Sequence, residues 1–124
     1  MKQFLLVAIL ALGAIAPAHS EMTIQDYYDK CIAGEKIQAV QQACIAYAQG
    51  MFDGLAALQA MNKPVEVCIP TSSDAEKITG IDVYSVVNRH VEKIVRNPKF
   101  EAALKFWVAP LMVTAFETEW PCDK

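Results

Sequence analysis

Few side chains in this 124-residue sequence have the types and spacing for chemistry. They are four cysteines (Cys31, Cys44, Cys68 and Cys122), His90, Asp53 between two glycines, and a short charged run with Asp74, Glu76 and Lys77. Cysteines can hold a metal, attack a substrate or pair with one another. A zinc site usually brings two ligands close in sequence, as in Cys-x-x-Cys, and no such pair occurs, so no metal is expected. His90 falls beside Val83, Val86, Val87, Val91 and Ile94 at helical spacing. A histidine in that position is more often a core or helix-edge residue hydrogen-bonded to a neighbour than a general base. Asp53 carries the weaker case for a base and reads as a solvent-facing or helix-bonding carboxylate. No nucleophile is placed beside a base, so the sequence points away from an enzyme and calls for no cofactor.

The cysteines take their meaning from the chain start. Lys2 is followed by an unbroken apolar run from Phe4 to Ile15 and then by small residues at Ala16, Ala18 and Ser20. This is the pattern of a secretory signal peptide over residues 1–20, with cleavage open between Ala18 and Ser20. The remainder, residues 21–124, is long enough for one domain and too short for two. An even number of cysteines in a small exported domain predicts two disulfides and an oxidising compartment, the bacterial periplasm. Three pairings are possible. Topology favours Cys31 with Cys44, which staples a short helix to a long one, and Cys68 with Cys122, which ties a loop to the chain end. Loop-closure entropy does not separate the three. The net charge of −3, with both signs mixed in composition, gives no reason to expect nucleic acid or, after cleavage, a membrane as partner.

The elements that position these groups read as an all-α, disulfide-bonded bundle of about four helices. A short helix follows Thr23, with Thr23 and Asp26 as its cap and Gly34 as a left-handed stop. A long helix runs from about Gln38 to Met61, ended by Asn62, Lys63 and Pro64. On it Cys44, Tyr47, Met51, Leu55 and Leu58 share one face. Gly50 and Gly54 beside Tyr47 cost helix propensity, so they mark a place where another backbone comes close, either in the same chain or in a second copy. Val65 to Pro70 is extended and Thr71 to Gly80 is an exposed loop. A third helix spans about Asp82 to Arg96. A fourth runs from Pro98 to Glu119, with Phe100, Leu104, Trp107, Leu111 and Ala115 available for burial. Pro110 predicts a kink or a break in it near Phe106.

Taken in order, several pieces resemble the Rap/Tai family of type VI secretion immunity proteins. They are Cys31; Cys44, Tyr47, Gly50, Asp53 and Gly54; Cys68, Ile69 and Pro70; Asn97 and Pro98; and Trp120, Pro121 and Cys122. The resemblance implies a small helical periplasmic protein, commonly a homodimer, that binds a secreted peptidoglycan amidase and occludes its cleft. The exposed loop, with Asp74, Glu76 and Lys77, is then the expected partner-binding segment. A periplasmic acid-stress or holding chaperone on a similar scaffold is the alternative, and it predicts many clients and a change of assembly at low pH.

Overall fold

The computed structural model describes residues 22–70 and 77–122. The expected leader and its cleavage points lie outside the described residues. The described chain is an all-helical bundle crosslinked by two disulfides, Cys31–Cys44 and Cys68–Cys122, the two pairs favoured by topology. Helix α1 (Ile24–Tyr27) runs straight into a π-helical turn (Tyr28–Ile32). It is followed by α2 (Gln38–Ala60), α3 (Gly80–Arg96), a 3-10 helix (Pro98–Lys105) and α4 (Val108–Glu119). Two isolated bridges, Thr23 with Trp107 and Val67 with Pro121, fasten the chain between helices. No helix of the described residues is long and apolar enough to cross a membrane.

Local chemistry sets the helix ends. Thr23 and Asp26 form a reciprocal capping box, the Asp26 N–H donating to Thr23 Oγ1 (3.1 Å) and the Thr23 N–H to Asp26 Oδ2 (3.3 Å). Thr79 and Asp82 repeat the device at α3. Asn62, at φ 55°, takes the left-handed conformation that closes α2, and the Lys63 N–H donates back to the Leu58 carbonyl at 2.9 Å. Gly34 does not behave as expected: no glycine among the described residues has positive φ. It is a glycine because a Cβ there would lie 2.6 Å from the Asp29 carbonyl oxygen, which the π turn brings close. The break expected from Pro110 occurs at Phe106 and Trp107, which puts Pro110 in the first turn of α4, where its missing N–H is not needed.

The core runs between the helices from Ile24 to Phe116. Its hub is α3, which touches α2, α4, the 3-10 helix and the π turn and buries Val83, Val86, Val87 and Val91 along one face. Tyr27, Val108, Met112 and Phe116 are also fully enclosed. Phe52, Phe116 and Trp120 close one end as an aromatic cluster, with Phe52 5.6 Å from Phe116 and 5.1 Å from Trp120 between ring centres.

Three expectations are corrected. First, the inner face of α2 is shifted: Cys44 is buried and Met51 and Leu55 pack partly buried against the core as expected, but Ala48 and Phe52 are buried as well, whereas Tyr47 and Leu58 are exposed. This helix is apolar or small on nearly every side, so periodicity alone does not choose its inner face, and the aromatic partners of Phe52 do. Second, Gly50 and Gly54 are exposed, and among the described residues a Cβ at either would meet nothing within 4 Å, so they pack against no other described helix. Third, Phe100 and Trp107 are exposed, because the 3-10 helix fully buries none of its residues and the break swings Trp107 out to the start of α4.

Candidate functional site

The loop expected to carry Asp74, Glu76 and Lys77 is held from both sides. On its entry, Gln59 of α2 pins Ile69 twice, Nε2 donating to the Ile69 carbonyl (3.0 Å) and Oε1 accepting from the Ile69 N–H (2.9 Å). The Cys68 N–H donates to the Trp120 carbonyl (2.9 Å), and the Cys68–Cys122 disulfide fixes the same strand of chain to the end of the fold. On its exit, Thr79 donates its N–H to Asp82 Oδ2 (2.8 Å) and begins α3. Asp74 and Glu76 themselves lie outside the described residues, and Lys77 is exposed at the exit. A segment with both ends anchored loses less freedom on binding than a free one, which suits recognition.

The Asp82 carboxyl sits below the usual carboxylate range, first because the Thr79 N–H donates to it and second because the Thr79 hydroxyl does, at 2.9 Å. Its charge therefore serves the helix start.

A second concave feature lies at the other disulfide. A cavity of about 420 Å³ opens between the π turn and α2, walled by Tyr27, Cys31, Val40, Ala43, Cys44 and Tyr47, with Lys30 as its charged lining residue. Its floor is rigid. Tyr27 donates its hydroxyl to Asn88 Oδ1 (2.7 Å), and Tyr84 donates to the Cys31 carbonyl (2.6 Å). Burial, with smaller contributions from Tyr84 and Tyr47, pushes the Tyr27 hydroxyl well above its ordinary range, so it stays a neutral donor.

The remaining candidates are dispersed. His90 is half-buried on α3 and its Nδ1–H donates to the Val86 carbonyl one turn earlier, at 3.0 Å. Asp53 is exposed and accepts from Gln49 Nε2 at 2.7 Å. Asp53 thus has the helix-bonding role expected of it, and the neighbour that His90 bonds is a carbonyl of its own helix. All four cysteines are oxidised, and among the described residues no group of three His, Cys, Asp or Glu side chains could hold a metal ion.

Sequence reasoning missed the Gln59 clamp and the two tyrosine hydrogen bonds, whose partners lie ten to sixty-one positions away. It also missed the exposed Phe100, Phe106 and Trp107. Their signal was present: an adjacent Phe-Trp pair at the expected helix break, directly preceded by Lys105.

Comparison with protein-family models, with curated proteins and with solved structures gives no match.

Proposed function

We propose that this chain is a periplasmic immunity protein that binds a cognate secreted peptidoglycan amidase and blocks its cleft by occupation, without chemistry of its own. The observation that carries the reading is the order of motif elements from Cys31 to Cys122. The crosslinks agree with it: Cys31 is joined to the Cys-x-x-Tyr helix, and the terminal Trp-Pro-Cys is joined to Cys-Ile-Pro. The anchored loop with Asp74, Glu76 and Lys77 is the proposed contact, and a homodimer is the proposed assembly.

The test uses the oxidised chain from Glu21 onward and the amidase encoded nearest to it. One-to-one loss of peptidoglycan hydrolysis, relieved by reversing the charges of Asp74 and Glu76, is the expected result. Full hydrolysis at excess protein overturns the proposal. Capture of many clients only at acid pH replaces it with the chaperone.

A further inference from the structure

Even mixing of charge holds for the composition and not for its placement. Residues 92–107 carry four basic and two acidic side chains in a chain whose net charge is −3. Arg96 pairs with Glu92 at 3.2 Å. Lys93, Lys99 and Lys105 have no ion-pair partner among the described residues. Of these, Lys105 has two carboxylates beside it. Glu101 and Asp26 share a shallow cavity with Lys105, and Asp26 is committed to the Thr23 cap.

The same stretch exposes three aromatic side chains: Phe100 is 44% exposed, Trp107 47% and Phe106 67%. Phe106 and Trp107 form the extended turn between the 3-10 helix and α4. Three backbone groups at that turn are already paired. The Phe106 N–H donates to the Ala103 carbonyl, the Phe106 carbonyl accepts from the Ile24 N–H, and the Val108 N–H donates to the Met22 carbonyl, each at 2.9 Å. Entering a less polar layer would therefore strand none of these backbone groups.

We propose that this turn is a peripheral membrane anchor for an anionic lipid surface. Trp107 sits at headgroup depth, where a ring with a polar N–H edge is favoured, and Phe106, a purely apolar ring, inserts beside it. The neighbouring lysines lay their methylene stems along the boundary and keep their ammonium groups against lipid phosphates. A protein partner would more naturally take such an aromatic pair from within a pocketed surface, with hot spots ringed by packed neighbours. Here the pair stands on an extended turn that follows a 3-10 helix with no fully buried residue. The proposal is independent of the immunity reading and adds a location to whatever the chain binds.

The test uses the oxidised chain from Glu21 onward, since the core begins at Ile24 and the apolar run of the leader would itself bind lipid. It is mixed with vesicles of phosphatidylcholine alone and of phosphatidylcholine with an equal amount of phosphatidylglycerol. Sedimentation and tryptophan emission are read, with Trp107→Phe giving the contribution of Trp120. The expected result is binding to the anionic vesicles with a blue shift of Trp107. Lys99→Gln/Lys105→Gln weakens it roughly tenfold and raised salt weakens it similarly. Phe106→Ser/Trp107→Ser abolishes it while thermal unfolding stays unchanged, as fits exposed side chains. Absence of binding, equal binding to neutral vesicles, or binding that survives the serine variant overturns the proposal. A dimer in solution that falls apart in the serine variant, with no vesicle bound, assigns the patch to a second copy and overturns it as well.

Discussion

Tyr27 shows how one side chain sets its own pH dependence. It is fully buried, its hydroxyl donates to Asn88 at 2.7 Å, and burial raises its pKa. A tyrosine whose folded pKa lies above its unfolded value of about 10 contributes stability in full below that value. The contribution is lost as the pH rises above it, because the unfolded chain ionises first. Tyr27→Phe removes the hydrogen bond and leaves Asn88 Oδ1 short of a partner, a cost of about 1–2 kcal/mol at neutral pH. The variant should also lose part of the alkaline decline, so the gap between it and the parent narrows near pH 11. Urea unfolding at the two pH values checks this, and a constant gap would count against the argument. The role of Tyr27 was invisible beforehand. Asn88 lies sixty-one positions away, and only packing brings the two together. Gly34 was visible as a helix stop and misassigned in cause, since the carbonyl that excludes a Cβ belongs to a π turn that no local pattern announced.

Helix starts and stops were the most legible elements. Thr23-x-x-Asp26 was read as a cap and forms a reciprocal box, whereas the same pattern at Thr79-x-x-Asp82 went unread, and α3 starts at Gly80, two residues before the expected Asp82. Pro110 forced the last helix to break, for the equally local reason that its ring and missing N–H cannot sit in a helix interior. The inner face of α2 was not legible, because alanines, glycines and apolar residues surround that helix and the choice is made by Phe116 and Trp120 far along the chain. The α3 cap supports a prediction at this scale. Thr79→Ala removes the side-chain acceptor for the Asp82 N–H and should cost about 1 kcal/mol at neutral pH. Asp82, depressed by its Thr79 hydrogen bonds, stabilises the fold above the ordinary carboxylate range. It loses that contribution as the pH falls through its lowered folded value. Replacing Asp82 by Asn should therefore destabilise at neutral pH and progressively less below about pH 4, as followed by thermal unfolding in buffers across that range. A deficit that stayed constant on acidification would show that the carboxylate charge is not what holds the helix start.

At the scale of the whole molecule, the all-α disulfide-bonded class was legible because exported cysteines and helical spacing both pointed to it. The hub was not: the long helix with its motif looks central in sequence, whereas α3 holds the bundle together. With described burial concentrated in sixteen core residues, crosslinks have to carry much of the stability of so small a domain. They are placed unequally. Cys31–Cys44 spans 13 positions, within a helix pair that α3 also holds through Tyr84. Cys68–Cys122 spans 54 positions and secures two segments outside the helices, 65–70 and 120–122. Chain-entropy estimates for the two closures are ~3 and ~4 kcal/mol, against a total of roughly 5–15 kcal/mol for an ordinary domain. Cys68→Ala/Cys122→Ala should therefore lower the midpoint of unfolding more than its loop entropy alone implies, because the Gln59 clamp and the Trp120 hydrogen bond lose the tether that keeps them in register. Hydrogen exchange should show the damage first at the amides of Cys68 and Ile69, while Val87 and Val91 of α3 stay protected. Simultaneous loss of protection in α3 would instead mean that the chain end is part of the cooperative core. The proposed partner loop would then depend on global stability and not on a local staple.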